Sequence, residues 1–79
     1  MGEPNGRITV LVAEDEPAVR AALSDLIEIE EGLELVGAAA DAQEAIDLAR
    51  EHRPDVALVD VKMPAGGGTR AAREIRALS

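Results

Sequence analysis

The chain has 79 residues, contains no cysteine and no aromatic side chain, and carries a formal net charge of −8 from 16 acidic and 8 basic residues. This length allows one small domain at most, and the lack of cysteine excludes disulfides and cysteine-ligated zinc. The acidic balance opposes contact of this segment with nucleic acid, because a phosphate backbone attracts Lys and Arg.

The first predicted element is a short apolar run rich in β-branched residues, Ile8–Ala13, which ends abruptly at the acidic segment 14–16. A run that is apolar on both faces is typical of a buried parallel strand. It is far too short to span a membrane. Pro17 suits the first turn of a helix, where the N–H that proline lacks would have no partner. Gly32 is expected to end this helix in a left-handed conformation. The apolar stripe of the helix comprises Val19, Ala22, Leu23, Leu26 and Ile27.

A second strand is predicted at Leu33–Ala38, and the acid inside it is typical of an edge strand. Asp41 is the predicted N-cap of a second helix, and Glu44 three residues later completes a pattern like a capping box. This helix is expected to end near residues 51–53, because Pro54 disfavours helical geometry in the residue before it.

A third strand is predicted at Val56–Val59, and it too ends in an acid, Asp60. A glycine-rich loop follows, and then a last helix over roughly Thr69–Leu78. The alternation βαβαβα with short connections predicts a parallel sheet with right-handed crossovers. Residues 1–6 are expected to form a disordered leader and residues 7–79 the domain.

Three acids, Glu14, Asp15 and Asp60, follow the first and third predicted strands. Ligands of open parallel sheets bind beyond the carboxyl ends of the strands, so these carboxylates meet if the two strands are neighbours. A divalent cation would relieve their mutual repulsion, and hard oxygen donors favour Mg²⁺ or Mn²⁺. The alternative is that the acids are solvated or stabilise the N-terminus of the following helix.

Two segments together resemble the receiver domains of two-component response regulators. Val10–Pro17 is similar to the opening of these domains, and Pro54–Pro64 is similar to their third strand and phosphorylation loop. The resemblance implies a flavodoxin-like (CheY-like) α/β fold of three layers, with parallel strands in the order 2-1-3. It also implies that Asp60 accepts a phosphoryl group from a sensor histidine kinase. The implied ligands of Mg²⁺ or Mn²⁺ are the side chains of Glu14, Asp15 and Asp60 and the backbone carbonyl of Lys62.

The resemblance further implies a cytoplasmic signalling module of a phosphorelay, not a turnover enzyme, within a parent protein that regulates transcription. By comparison with the family, the chain stops after three βα units and lacks the last two. The fourth-strand Ser or Thr and the fifth-strand Lys of the family are therefore missing. Gly67 stands where the family commonly has Asp, and Thr69 stands where an apolar residue is common.

With only three strands, the third strand becomes a bare edge and one face of the sheet stays open. We therefore expect self-association through this strand or this face. A non-phosphorylated interaction or dimerisation module is the alternative function. A Mg²⁺-dependent phosphohydrolase with an aspartyl nucleophile is disfavoured, because Lys62 stands where such an enzyme needs a second acid.

Overall fold

The computed structural model describes residues 6–60, 62–63 and 67–77, in which strands and helices alternate along the chain. The strands are β1 (Ile8–Ala13), β2 (Leu33–Ala39) and β3 (Val56–Val59), and the helices are α1 (Pro17–Ile29), α2 (Ala42–His52) and α3 (Gly67–Ala77). This order confirms the predicted α/β class. None of these helices has the length and apolar character that crossing a bilayer requires. The predicted leader, apart from Gly6, lies outside the described residues.

The sheet is parallel throughout, with the strand order β2-β1-β3. This order confirms the expected 2-1-3 arrangement and the edge position of β2. Strand β3 pairs with β1 in an unbroken register that runs from Val10 opposite Val56 to Ala13 opposite Val59. The residues that follow these two strands therefore leave the sheet side by side at its carboxyl edge.

A pair of polar side chains fixes the start of the β1–β3 pairing. The backbone N–H and the hydroxyl of Thr9 donate to Oδ2 of Asp55, at 2.9 and 3.1 Å. In return, the N–H of Asp55 donates to the carbonyl and to Oγ1 of Thr9, at 3.0 and 2.9 Å. These bonds hold the residue before β3 against β1, and through the register they determine where Asp60 emerges.

The two faces of the sheet are covered by different helices. Val10 and Val12 pack with Ile27 of α1 on one face, whereas Ala13 packs with residues of α2 and α3 on the other. This division follows from the alternation of side chains along a strand. The core on the second face is built largely from alanine, so α2 and α3 lie close to the sheet.

Helix α1 covers only part of its face of the sheet. Ile27 is buried, but Val19 and Leu26 on the predicted apolar stripe are 43% and 62% exposed. Val56 and Leu58 pair with Val10 and Val12 and so lie on the same face, where each is 43% exposed. We call the exposed side chains of Val56 and Leu58 the open β3 face.

The helix ends agree with the sequence prediction at α2 and differ from it at α1. Asp41 caps α2, since its Oδ1 accepts the N–H of Glu44 at 2.8 Å, and Glu44 Oε1 accepts the N–H of Ala40 at 2.7 Å. Helix α1 ends at Ile29 rather than at Gly32, and Gly32 does not adopt a left-handed conformation. The backbone leaves the helix at Glu30, which is extended and whose N–H donates to the carbonyl of Ile27 at 3.2 Å, and the carbonyl of Gly32 then accepts the N–H of Ile8 at 2.9 Å.

Helix α3 begins two residues earlier than the sequence predicts, at Gly67. Gly67 and Gly68 are both buried. A Cβ on Gly67 would lie 3.5 Å from the Cβ atoms of Ala42 and Met63, so the first turn of α3 lies close against α2. Tertiary packing therefore draws two glycines into a helix that their intrinsic propensity disfavours.

We predict that Asp55→Ala lowers the free energy of unfolding by about 1–3 kcal/mol, because it removes the carboxylate that accepts hydrogen bonds from the N–H and the hydroxyl of Thr9. Urea titration followed by far-UV circular dichroism measures the change, since the chain has no aromatic fluorophore. Thr9→Ser retains the hydroxyl and serves as the control, with a smaller expected loss. Equal stability of Asp55→Ala and the wild type would contradict a stabilising role for the hydrogen bonds between Thr9 and Asp55.

Candidate metal and phosphoacceptor site

Glu14 is the first residue after β1 and is only 8% exposed. Its N–H donates to the carbonyl of Ala39 at 3.0 Å, which continues the pairing of β1 with β2. Its carboxylate Oε2 accepts the N–H of Glu16 at 3.1 Å. The carboxylate is thus held in place at the carboxyl edge of the sheet by a backbone donor.

Asp60 is the first residue after β3 and is half-buried. Its N–H donates to the carbonyl of Ala13 at 2.9 Å, one step beyond the β1–β3 pairing. Its Oδ1 accepts the N–H of Lys62 at 2.9 Å, which fixes the rotation of the carboxylate. Lys62 therefore contacts the site through its backbone N–H, and its predicted role as a carbonyl ligand remains a prediction.

The structure brings the three carboxylates of Glu14, Asp15 and Asp60 together. One oxygen from each lies within 4.8 Å of the others. Mg²⁺ binds its oxygen ligands at about 2.1 Å, so that ligands on opposite sides of the ion are about 4.2 Å apart. Small side-chain movements, or a water in place of one direct ligand, fit this group to one cation. The residues present are thus suited to a hard divalent ion.

The crowding of these acids affects the protonation of Glu14. The N–H of Glu16 is the largest single influence on this carboxyl and lowers its pKa. Desolvation and the neighbouring carboxyls of Asp15 and Asp60 act in the opposite direction and together outweigh it, so the pKa of Glu14 is raised above its ordinary value of 4.5. Without a cation, the site therefore resists full ionisation.

The alternative that these acids only cap the following helix accounts for part of the arrangement. Glu16 is the N-cap residue of α1, but its side chain makes no capping bond. Asp15 is exposed, which suits a solvated acid, whereas Glu14 is buried. Solvation does not explain a buried carboxylate that faces two others.

Sequence reasoning missed one residue beside the site, Arg20 of α1. Its Nη1 donates to the carbonyl of Glu14 at 2.9 Å and lies 3.5 Å from the carbonyl of Asp15. The only signal in the sequence is an arginine placed one turn into the helix that follows the acids. That spacing does not distinguish a contact with the loop from a solvated side chain.

The family model of the response regulator receiver domain matches residues 10–79. Among curated proteins, the chain is 52% identical over 66 residues to the transcriptional regulatory protein PdtaR of Mycobacterium tuberculosis, covering 84% of this chain and 32% of PdtaR. It is also 44% identical over 68 residues to the response regulator GacA of Pseudomonas aeruginosa, covering 86% of this chain and 32% of GacA. The chain thus spans about a third of the length of these relatives.

Among solved structures, the response regulator domain of Thermotoga maritima CheB superposes with a TM-score of 0.83 at 37% identity, over 90% of this chain and 53% of that domain. Such a likeness over nearly the whole chain confirms the fold inferred from the sequence.

We predict that Asp60→Asn raises the melting temperature of the protein in EDTA near neutral pH, because it removes one of three crowded charges and keeps the acceptor for the Lys62 N–H. Asp25→Asn, on the exposed surface of α1, removes the same charge away from the cluster and is expected to have little effect. A lower melting temperature for Asp60→Asn than for Asp25→Asn would contradict the proposed repulsion.

The raised pKa of Glu14 gives a pH dependence of defined sign. Its contribution to stability is complete below the ordinary pKa of 4.5 and is lost as the pH rises through the raised pKa of the folded state. The melting temperature of the metal-free protein is therefore expected to fall over this range, and to fall less in Asp60→Asn. The difference between the two pH dependences of the melting temperature measures the contribution of Asp60 to the raised pKa of Glu14.

Proposed function

Because the chain belongs to the response regulator receiver domain family, we propose that Asp60 accepts a phosphoryl group from a phosphohistidine of a sensor histidine kinase. The observation that supports this most strongly is the meeting of Glu14, Asp15 and Asp60 within 4.8 Å beyond two paired strands. Asp60 suits the acceptor role because it is half-buried and held by the N–H of Lys62, while an oxygen of it still faces the other acids.

In the proposed step, a carboxylate oxygen of Asp60 attacks phosphorus, and the bond between phosphorus and the imidazole nitrogen of the kinase breaks. The products are an acyl phosphate on Asp60 and a histidine whose nitrogen takes up a proton from water. The repulsion between an incoming phosphoryl group and three carboxylates opposes this approach. Charge neutralisation at the cluster is therefore a requirement of the reaction.

Mg²⁺ or Mn²⁺ held by Glu14, Asp15 and Asp60 would supply that neutralisation on the transferring oxygens. Asp15, the most exposed of the three, is the proposed direct ligand, and Glu14 is proposed to act through a water. The carboxylate of Glu14 is already held by the N–H of Glu16, which suits a group that reaches the cation through a water. The carbonyl of Lys62 is the proposed fourth ligand.

The relatives suggest the wider role of such a module. PdtaR is named a transcriptional regulatory protein, and GacA is named a response regulator. We propose that this chain acts within a regulator of the same kind and passes on the phosphorylation state of Asp60. The receiver itself is a signalling domain, and the proposed reaction modifies it once per transfer.

We predict that incubation with acetyl phosphate and Mg²⁺ adds the mass of one phosphoryl group to the protein, and that Asp60→Asn adds none. Intact mass spectrometry gives the result directly. EDTA is expected to suppress the addition, and Mg²⁺ alone is expected to raise the melting temperature of the wild type, since a ligand that binds only the folded state stabilises it.

Asp47→Asn, an exposed acid on α2, is the matched control and should be phosphorylated like the wild type. Phosphorylation of Asp60→Asn to the wild-type level would place the acceptor elsewhere and overturn the assignment. Absence of phosphorylation in the wild type, with Mg²⁺ binding intact, would favour a module that only binds partners.

We also infer that the β3 side of the sheet associates with a second copy of the chain. The outer edge of β3 pairs with no strand among the described residues, and the open β3 face is apolar and exposed. Unpaired strand edges beside apolar surface favour pairing between chains. This contact is also what the alternative function, a non-phosphorylated interaction module, would use.

We predict a mass above that of the monomer in size-exclusion chromatography with light scattering at micromolar concentration. Leu58→Lys should return the protein to the monomer, because it places a charge on the open β3 face. Ile29→Lys, which changes a side chain that is 74% exposed at the end of α1, is the control and should leave the association unchanged. A monomeric wild type would refute the association.

A further inference from the structure

One residue satisfies three successive carbonyls of the acidic loop between β1 and α1. The guanidinium Nη1 of Arg20 donates to the carbonyl of Glu14 at 2.9 Å and lies 3.5 Å from that of Asp15. The backbone N–H of Arg20 donates to the carbonyl of Glu16 at 2.9 Å. The backbone of the loop is thus tied to the second turn of α1 at every residue.

Because the peptide bond is planar, the contact of Arg20 with the carbonyl of Asp15 also affects the orientation of the N–H of Glu16. The carbonyl of Asp15 and the N–H of Glu16 belong to one trans peptide unit, and they point in opposite directions. With the carbonyl facing Arg20, the N–H faces the carboxylate of Glu14, to which it donates at 3.1 Å. Rotation of this unit would remove the donor from Glu14.

Loss of the Glu16 N–H would also leave the buried carboxylate of Glu14 beside two other acids without its main stabilising partner. A buried carboxylate that loses a donor tends to reorient towards another. That change would disrupt the group of three oxygens. The arrangement of the cluster therefore depends on a side chain that does not belong to it.

We propose that Arg20 is a positioning residue for the divalent-cation site, acting through the peptide units of the acidic loop. This inference rests on the proposed function, since the cation is part of that proposal. Arg20 is half-buried on α1. A planar guanidinium can reach two adjacent carbonyls at once, which an ammonium group does less well.

The test compares Arg20→Met, Arg20→Lys and the wild type, with Arg50→Met as the control. Arg20→Met keeps an unbranched apolar stem and removes the donors, while Arg50→Met removes the same charge from an exposed site on α2. Far-UV circular dichroism establishes that each variant folds. Amide hydrogen exchange of Glu16 in EDTA and a titration with Mg²⁺, both followed by NMR, are the readouts.

In Arg20→Met, we expect faster exchange of the Glu16 amide and Mg²⁺ affinity weaker by about tenfold, as is typical when a partner of a metal ligand is removed. Arg20→Lys should recover part of both losses, and Arg50→Met should show neither. A folded Arg20→Met with wild-type exchange and affinity would overturn the inference, as would an equal loss of affinity in Arg50→Met, which would indicate net charge alone.

The same experiment separates this inference from the proposed function. If the wild type fails to bind Mg²⁺, the proposed metal site is wrong. The exchange of the Glu16 amide in EDTA still decides whether Arg20 positions the loop, because that measurement requires no cation. Should Arg20→Met fail to fold, Arg20→Lys supplies the comparison, with a smaller expected change in the same direction.

Discussion

The unbroken parallel register between β1 and β3 is the constraint on which the rest of the site depends. With Ala13 opposite Val59, the next residue of each strand leaves the sheet at the same edge. Both of those residues are acids, and the backbone N–H of Asp60 still reaches the carbonyl of Ala13. The bonds between Thr9 and Asp55 at the other end of the strands secure this register. Contacts at the start of β3 therefore help to determine the position of Asp60 at its end.

Because the two strands end side by side, the acids that follow them are crowded, and this crowding is electrostatically unfavourable. Three carboxylates lie within 4.8 Å of one another. The N–H of Glu16 lowers the pKa of Glu14, but burial and then the neighbouring carboxyls of Asp15 and Asp60 outweigh it and raise the pKa. Backbone donors from Glu16 and Lys62 offset part of this unfavourable crowding and hold two of the acids in fixed orientations. The cation that we propose would relieve this crowding, which suits the proposed transfer of a phosphoryl anion to Asp60.

Local patterns predicted most of the elements but not all of their ends. The capping pattern at Asp41 and Glu44 is local, and it appears in the structure as predicted. The predicted end of α1 was wrong, since the backbone already becomes extended at Glu30 and Gly32 instead accepts the N–H of Ile8, a residue far back in the chain. The exposure of Leu26 was likewise beyond local reasoning, since a helical stripe shows which side chains share a face and not how much of that face another element covers.

The amino-acid sequence alone predicts the class of fold, the acids at the strand ends and, through two motifs, the family. These depend on residue type and spacing along the chain, which can be read directly. The burial of Glu14, the contact of Arg20 with the backbone of its loop and the bonds between Thr9 and Asp55 become visible only in the folded protein. Each of these is a contact between separate segments, and its geometry exists only after strands and helices have packed together.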